Sequence, residues 1–368
     1  MPVRLIYNHI EHHAAHSGYD QLAKYVDAKP YVDGPLYRLT GKIKHERLDS
    51  TKAYHTPWYS GWAMRREIAI CARAAMFPAH LLFHWFYAEN DVRICSQWRW
   101  RWNNKFVASF HQPPEFLDGH VEDKTYIRGL DGIIVMAESQ IPYMSQFVPR
   151  EKIFCVPHGV AVEHWKPDAA VPRRPEPTFL FVGVWLRDIE MAKATIRKCA
   201  AAGLPAKFRI VTFPDRVAEF EPLPNTTVMT KIPDAQLLEE YRSAHALFLP
   251  LSMSTANNAM LEAMSCGTGV ISTRTGGTPE YVSEGCGELV PPGDIDAAVA
   301  AIRRICDSRE YTARIGEAAR ARALDFAWEK MGELQNRAYR DIFRGGRKLA
   351  TAGERERPEV SSAPSPAR

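Results

Sequence analysis

The sequence has no apolar stretch long enough to cross a bilayer and no N-terminal stretch typical of a signal peptide. A spanning helix needs roughly 20 apolar residues, and a signal peptide needs an apolar core after a basic start. The chain begins instead with "MPVRLIYNHIEHHAAH", which turns rich in histidine at once. We therefore expect a cytoplasmic protein, with peripheral association at the inner face of a membrane left open.

The sequence also has no large surplus of charge of either sign. Lys and Arg number 47 and Asp and Glu number 43 among 368 residues, a formal net charge of +4. Nucleic-acid-binding proteins usually carry a larger basic surplus, so we expect no nucleic-acid partner. The 7 cysteines lie at least 20 residues apart. This spacing fits neither a zinc cluster nor a compact disulfide framework, so we expect reduced thiols.

The sequence does contain a regular alternation of short apolar runs and helical patterns. A first series of strands is predicted over 3–7, 80–86, 106–110, 132–137 and 153–157. A second series is predicted over 178–183, 207–212, 226–230, 246–251 and 269–273. Helices are predicted near 17–27, 62–76, 138–148, 189–202, 234–244, 258–265, 294–306 and 310–342. Apolar strands separated by helices are typical of parallel sheets covered on both faces.

A segment rich in proline and charge, "KPDAAVPRRPEP" at 166–177, separates the two series and predicts an interdomain linker. The predicted domains are 1–165 and 178–325, two Rossmann-like α/β units whose sheets face each other across a cleft. We expect a C-terminal helix over 326–345 that crosses back to the N-terminal domain. Pro, Ser and charge leave 346–368 little to bury, which predicts a disordered tail.

Polar and small residues follow two strands of the second domain, at the edge where parallel sheets bind ligands. Asn257 and Asn258 precede a helix whose free N–H groups and dipole favour an anion. Gly276 and Gly277 follow the next strand and let the backbone approach a phosphate closely. We expect Glu262, one turn into the helix, to be a partly exposed carboxylate that accepts hydrogen bonds from a ribose diol. Together these features indicate a nucleoside diphosphate site.

These residues belong to a longer ordered pattern at 248–294, "FLPLSMSTANNAMLEAMSCGTGVISTRTGGTPEYVSEGCGELVPPGD". It resembles the donor site of glycosyltransferase family 4, whose members are retaining enzymes with the GT-B fold. The resemblance covers roughly 1–342 and is looser in the N-terminal half. It implies an α/β GT-B architecture, a nucleoside-diphosphate sugar as donor, and a glycan, lipid or small-molecule acceptor.

The resemblance also assigns roles to individual residues. The glutamate with which the family contacts the ribose matches Glu262. Its other glutamate, near the transferred sugar, falls on Ser254, which carries no charge. The family has an Arg and a Lys after the first strand of this domain, and two apolar residues stand at those positions. The nearest cations are Arg187 and Lys193, and we predict that Arg187 holds the diphosphate.

Two residues of the N-terminal half match the family pattern. Gly18 matches a glycine-rich turn after the first strand that faces donor and acceptor. His111 matches a histidine near the donor sugar. A histidine after an apolar strand is more often a structural group, so for His111 both roles stay open. His84 ends the previous strand and is the weaker candidate.

Two motifs suggest a metal site. "EHHAAH" brings together His12, His13 and His16, but no cysteine or second cluster completes the set. "GDID" contains Asp294, which opens a helical pattern and is expected to be its N-cap. We therefore expect no metal and no other cofactor.

Two further motifs keep alternative interpretations. "WRWRW" at 98–102 fits an aromatic and cationic strip for an acceptor or a membrane headgroup, and it also fits a loop packed on its own domain. "AMRREIAICARAAM" at 63–76 fits a membrane-surface helix or an amphipathic helix on a core, and we expect the second.

The sequence thus predicts a glycosyltransferase of the hexosyltransferase type that transfers a sugar to an acceptor hydroxyl with retention and without a metal. Catalysis would depend on positioning, with Arg187 at the phosphate and His111 and Ser254 near the sugar. One alternative is a nucleotide-sugar epimerase of similar architecture. Another is a binding or scaffold protein, which the neutral residue at position 254 favours.

Overall fold

The computed structural model describes residues 2–7, 16–34, 37, 59–77, 80–98, 102–121 and 123–345. They form two α/β domains, each built on a parallel sheet of 6 strands. The predicted architecture of two parallel α/β domains is confirmed.

The N-terminal sheet consists of β1 (Val3–Ile6), β2 (Ala28–Pro30), β3 (Leu82–Trp85), β4 (Lys105–Phe110), β5 (Gly132–Val135) and β6 (Ile153–Cys155). Their order across the sheet is β2-β1-β3-β4-β5-β6. The helices of this domain are α1 (Gly61–Met76), α2 (Ala88–Asp91), α3 (Pro114–His120), α4 (Thr125–Arg128) and α5 (Ile141–Met144). Short 3₁₀ helices occupy Tyr19–Lys24, Cys95–Gln97, Glu138–Gln140 and Arg150–Lys152.

The C-terminal sheet consists of β7 (Thr178–Val182), β8 (Lys207–Thr212), β9 (Thr226–Thr230), β10 (Ala246–Leu249), β11 (Gly269–Thr273) and β12 (Gly287–Val290). Its helices are α6 (Ile189–Ala201), α7 (Asp234–Ser243), α8 (Asn258–Ser265), α9 (Thr278–Tyr281), α10 (Ile295–Asp307) and α11 (Arg309–Ala323). The strand order is β12-β11-β10-β7-β8-β9, so the connections change direction between β7 and β10. A crevice forms outside the carboxyl ends of such a strand pair, where open α/β sheets bind ligands.

The last helix that the structure describes, α12 (Trp328–Arg344), packs on the N-terminal sheet. Trp328 and Tyr339 share a buried cluster with Val3 and Leu5 of β1. Gly159 makes this packing possible, because a Cβ there would lie 2.3 Å from a ring carbon of Trp328. The chain therefore crosses between the domains twice, once before and once after the C-terminal sheet in sequence.

All ten predicted strands are present, but β2 and β12 were missed. β2 has only 3 residues and ends in a proline, and both missed strands lie at sheet edges, where pairing does not require a long apolar run. The helix predicted over 310–342 is two helices, α11 and α12, which are separated by a 3₁₀ turn at Leu324–Phe326.

Other expectations have mixed outcomes. The α1 helix buries Ile70 and Cys71 in the domain core, as expected of an amphipathic helix. The segment 166–177 contains no helix or strand. The predicted tail, 346–368, lies outside the described residues. Across the described ranges, no helix is both long and apolar enough to cross a membrane.

Candidate functional site

Arg187 lies beside the carboxyl end of β7, where the strand order changes direction. Its Nε donates to the carbonyl of Val182 at 3.0 Å and its Nη1 donates to the carbonyl of Trp185 at 2.8 Å. Gly183 leaves room for the guanidinium, since a Cβ there would lie 3.3 Å from Nη2. Burial lowers the pKa of Arg187 to about 10, and Glu262 is close enough to oppose that shift. Within the described residues, Arg187 forms no ion pair.

Glu262 lies in α8 and accepts two hydrogen bonds from hydroxyl groups. Ser17, in the N-terminal domain, donates to Oε1, and Tyr241 of α7 donates to Oε2 at 2.9 Å. Burial raises the pKa of the Glu262 carboxyl, and the two hydrogen bonds oppose the shift. The expectation of a partly exposed carboxylate was wrong, because Glu262 is only 6% exposed and both of its oxygens accept from the buried hydroxyls of Ser17 and Tyr241.

Sequence reasoning missed both hydroxyl partners of this carboxylate. Ser17 directly precedes Gly18, whose φ of 95° turns the chain toward the 3₁₀ helix Tyr19–Lys24. The glycine was identified as a cleft residue, so the serine beside it carried a usable signal. Tyr241 lies near the end of α7 with no motif around it, and only its burial in the fold identifies it.

The loop after β10 and the loop after β11 pack backbone against backbone. Gly277 donates its N–H to the carbonyl of Ser254 at 3.0 Å. Gly276 has a φ of 47°, and a Cβ on it would lie 1.9 Å from that same carbonyl oxygen. At the start of α8, the Asn257 side chain accepts from the N–H of Met260 at 3.2 Å and so caps the helix. Asn258 is the first helical residue and is half-buried.

Ser254 is buried in this arrangement, with 4% of its surface exposed. Its hydroxyl lies 3.5 Å from the carbonyl of Thr255. The Thr255 hydroxyl donates to the carbonyl of His111, which belongs to the other domain. Position 254, where the family resemblance would place a glutamate, is therefore held by a neutral side chain, one residue away from a contact that joins the two domains.

The imidazole of His111 has a defined tautomer. Its Nε2 lies 2.6 Å from the carbonyl of Phe86, and a carbonyl only accepts, so Nε2 carries the proton. Burial lowers the pKa of His111 and keeps the ring neutral. The Nδ1 atom is then an acceptor, and it has no hydrogen-bond partner among the described residues. The rings of Tyr19 and Tyr87 lie at 4.5 and 5.1 Å from the imidazole and hold it in place.

His84 differs from His111 in that both of its ring nitrogens have hydrogen-bond partners. Its side chain is fully buried, with Nδ1 at 2.7 Å from the Tyr339 hydroxyl and Nε2 at 2.8 Å from the Ser109 hydroxyl. Burial lowers its pKa to about 3. His84 is a neutral core group that connects β3 to α12.

Further hydrogen bonds hold the two domains together across the cleft. The Glu280 carboxylate accepts from the backbone N–H groups of Glu138 and Ser139 at 2.6 and 2.9 Å. The Tyr281 hydroxyl donates to the carbonyl of Met136 at 2.6 Å. These contacts join α9 of one domain to the loop after β5 of the other.

One predicted donor residue lies apart from the others. Lys193 forms an ion pair with Glu190 at 2.7 Å on α6, and its partner is largely exposed. The described contacts do not connect Lys193 with Arg187 or with Glu262.

The candidate metal motifs have other roles where they are described. Asp294 accepts from the N–H of Ala297 at 2.9 Å and caps α10, which confirms the predicted N-cap. His12 and His13 lie outside the described residues, and the ring of His16 stacks on that of His164 at 3.8 Å. The described parts of the chain contain no group of three His, Cys, Asp or Glu side chains that could hold a metal.

The "WRWRW" motif is described only in part, because 99–101 lie outside the described residues. Trp102 is 64% exposed, and its Nε1 donates to the carbonyl of Ala75 at 3.2 Å. This end of the motif therefore lies against the end of α1.

Sequence comparisons show that the C-terminal domain is similar to glycosyl transferases. Residues 173–322 match the family described as "Glycosyl transferases group 1". A D-inositol 3-phosphate glycosyltransferase of Segniliparus rotundus is 25% identical over 63% of this chain and 57% of its own length. A sulfoquinovosyl transferase of Arabidopsis thaliana is 33% identical over 25% of this chain and 19% of its own. The chain thus spans between about a fifth and just over half of the length of these relatives.

Solved structures of the same fold cover most of the chain. A glycosyltransferase from Rickettsia africae has a TM-score of 0.63 at 14% identity and covers 93% of this chain and 98% of its own. HepE from Anabaena, solved in complex with UDP and glucose, has a TM-score of 0.63 at 12% identity. The match covers 92% of this chain and 99% of HepE. Sucrose-phosphate synthase from Thermosynechococcus elongatus has a TM-score of 0.62 at 22% identity. The match covers 77% of this chain and 78% of the synthase.

These structural neighbours confirm the predicted GT-B fold. The crevice at the carboxyl ends of β7 and β10 lies within the matched range. Arg187, Glu262, Gly276 and Gly277 lie around it. The chain therefore has the GT-B fold of glycosyltransferases, and its C-terminal domain is similar to glycosyl transferases of group 1.

Proposed function

We propose that the protein is a retaining glycosyltransferase that moves a hexose from a nucleoside-diphosphate sugar to an acceptor hydroxyl and needs no metal. The observation that carries the proposal is that Arg187 and Glu262 both lie at the crevice outside the carboxyl ends of β7 and β10. Arg187 is a cation that forms no ion pair with any residue that the structure describes, and Glu262 is a buried carboxylate with two hydroxyl partners. A nucleoside diphosphate has a diol and an anionic diphosphate, which suit these two groups.

The donor would be held at both ends of its nucleotide. Glu262 would accept hydrogen bonds from the ribose diol after exchanging its present partner, Ser17. The diphosphate would lie at Arg187 and the amino end of α8, whose free N–H groups favour an anion. Gly276 and Gly277 have no side chains, so the backbone of their loop would come close to the diphosphate. A fixed positive charge stabilises the diphosphate as it leaves, so this arrangement supplies without a metal what a divalent ion supplies elsewhere.

The sugar would lie between the two domains. The His111 Nδ1 atom is an acceptor that has no hydrogen-bond partner in the described part of the chain, and a sugar hydroxyl would donate to it. Ser254 cannot supply negative charge beside a developing oxocarbenium ion. The charge nearest the reacting carbon is then that of the leaving diphosphate, on the face from which it departs. Attack by the acceptor on that same face gives retention.

The donor and acceptor panels follow from the similar proteins. HepE was solved with UDP and glucose, so UDP-sugars come first among the donors to be tested. One relative is named for D-inositol 3-phosphate, which adds a phosphorylated polyol to glycans and lipids among the acceptors.

The experiment has two stages. Thermal unfolding is followed with each nucleotide sugar, because a donor that binds only the folded state raises the melting temperature. The stabilising donor is then incubated with acceptors, with and without EDTA, and the anomeric configuration of the product is read by NMR. Transfer with retention in EDTA supports the proposal. Conversion of the nucleotide sugar without acceptor indicates an epimerase, and stabilisation without any turnover indicates a binding protein.

A further inference from the structure

A cavity of about 310 Å³ lies in the C-terminal domain, away from the cleft. Arg173, Arg174, His245, Arg309 and Thr312 line it, and none of its lining residues is acidic. We call it the basic pocket. His245 directly precedes β10 and bonds the first residue of β7, so the pocket lies at the amino ends of these strands. The cleft lies at their carboxyl ends, roughly 15 Å away at about 3.3 Å per strand residue.

The guanidinium groups of the pocket are short of carboxylate partners. Arg173 is half-buried and donates to the carbonyls of Gly267, at 2.7 Å, and Ala244. Arg309 is exposed, and neither it nor Arg173 forms an ion pair within the described residues. Arg174 shares one carboxylate, Glu240, with Arg209 on β8. Positive charge is therefore in excess here.

His245 adds a donor to the pocket and no acceptor. Its Nδ1 accepts from the backbone N–H of Thr178 at 3.1 Å, so in the neutral ring the proton is on Nε2. Burial and the nearby Arg173 and Arg309 lower the pKa of His245 to about 4, which keeps the ring neutral near pH 7. The Thr312 hydroxyl is directed away, since it donates to the carbonyl of Ser308 at 2.9 Å.

We propose that the basic pocket binds the phosphate group of a small phosphorylated metabolite. Its polar groups are donors and cations, and guanidinium groups bind the oxygens of a phosphate in pairs. Its volume falls at the lower end of ligand sites, roughly 300 Å³, and exceeds that of a phosphate alone. The remaining space accommodates a compact organic part. None of its residues belongs to the proposed donor site, so the proposal stands independently of the proposed function.

Isothermal titration of the full chain with inorganic phosphate tests the pocket. Arg309→Gln should weaken binding about tenfold or more, the value of one charge-assisted hydrogen bond. Arg309 is exposed, so the variant should fold normally. The matched control is Arg303→Gln, which removes the same charge from the exposed face of α10, outside the pocket, and should bind as the wild type does.

Phosphate can also bind in the cleft, so Arg187→Gln is titrated in parallel. The proposal requires a phosphate site that survives Arg187→Gln and is weakened by Arg309→Gln. The reverse pattern, or an equal affinity in Arg309→Gln and wild type, overturns it. A second titration uses glycerol phosphate in place of inorganic phosphate. Tighter binding than inorganic phosphate supports an organic ligand, and equal or weaker binding overturns that part of the proposal.

An NMR titration of His245 gives a readout that a purely structural pocket would not move. A bound phosphate offsets the charge of Arg173 and Arg309, so the pKa of His245 should rise above its value of about 4 in the free protein. The same measurement on Arg303→Gln should show the same rise. A pKa of His245 that saturating phosphate leaves unchanged contradicts the proposal.

Discussion

The hydroxyl of Ser17 in the N-terminal domain donates a hydrogen bond to the carboxylate of Glu262 in the C-terminal domain. The second oxygen of that carboxylate accepts from Tyr241. Both oxygens that we assign to the ribose therefore already have hydroxyl partners. Nucleotide binding would exchange one of these partners, and Ser17 is the one that can leave, because it lies on the opposite domain.

Ser17→Ala should raise the affinity for a nucleoside diphosphate by about 2- to 10-fold, since the ribose no longer displaces a hydrogen bond of net value near 1 kcal/mol. Calorimetric titration measures the change. Ser139→Ala is the matched control, because Ser139 also faces the opposite domain but contacts it through its backbone N–H. A weaker affinity in Ser17→Ala would mean that Ser17 binds the nucleotide instead of competing with it.

Glu262→Gln should weaken nucleotide binding by about 10- to 100-fold, the value of a hydrogen bond to a charged group. The free protein should keep its stability at pH 7, because the variant retains the shape and no longer buries a charge. Glu239→Gln, at an exposed position of α7, is the control for both measurements. A large loss of stability in urea, or an unchanged nucleotide affinity, contradicts the assignment.

The same variant should also change how the free energy of unfolding depends on pH. Burial raises the pKa of Glu262, so between its ordinary pKa and the raised value the folded state binds more protons than the unfolded state. The contribution of Glu262 to stability therefore falls as pH rises through that window. The stability of Glu262→Gln relative to wild type should increase across the same window and level off above it. Urea titrations at a series of pH values measure this difference, and a flat difference contradicts the buried carboxylate.

Arg187→Gln should reduce turnover more than it reduces affinity for the nucleoside alone, since the guanidinium acts on the diphosphate. Loss of such a charge typically costs about 2–4 kcal/mol in the transition state. Arg197→Gln removes a cation from the exposed face of α6 and should leave turnover unchanged. Steady-state rates with the true donor provide the comparison. Equal rates in the two variants would place the diphosphate elsewhere.

His111→Ala should lower turnover strongly and nucleoside diphosphate affinity little, because Nδ1 faces the sugar in the proposed complex. Ser254→Ala should lower turnover by about 1 kcal/mol in transition-state binding, the value of one neutral hydrogen bond. Burial lowers the pKa of His111, so wild-type turnover should fall only when the pH drops below the ordinary histidine value of 6.5. An inactive Ser254→Ala beside an active His111→Ala reverses this ranking.

Gly276→Ala should destabilise the protein more than Gly285→Ala does. Both glycines have positive φ, 47° and 87°, which costs an alanine about 1–2 kcal/mol. A Cβ at Gly276 would lie 1.9 Å from the Ser254 carbonyl oxygen, whereas Gly285 has no neighbour within 4 Å. The clash should add about 1–3 kcal/mol. Equal unfolding free energies in urea would mean that the two loops separate without cost.

The sequence predicted what depends on local pattern. Apolar runs of strand length identified ten of the strands, and the cap at Asp294 followed from residue type and spacing. What it could not predict depends on contacts between distant residues. Glu262 was expected at the surface because its own neighbours are small and apolar, and the covering Ser17 lies 245 residues away. The basic pocket likewise joins residues from the linker, the start of β10 and α11, and none of these stretches carries a motif.

The position of α12 has a consequence for synthesis of the chain. Trp328 and Tyr339 fill the same cluster as Val3 and Leu5, so β1 is synthesised long before α12, the helix that covers it. The C-terminal domain has its six strands complete by Val290 and its α11 helix by Ala323. Domains usually fold in the order of synthesis. Here the domain that is made first can complete its core only after the second has been translated, and a nascent chain paused before Trp328 leaves an apolar sheet face uncovered for chaperones to bind.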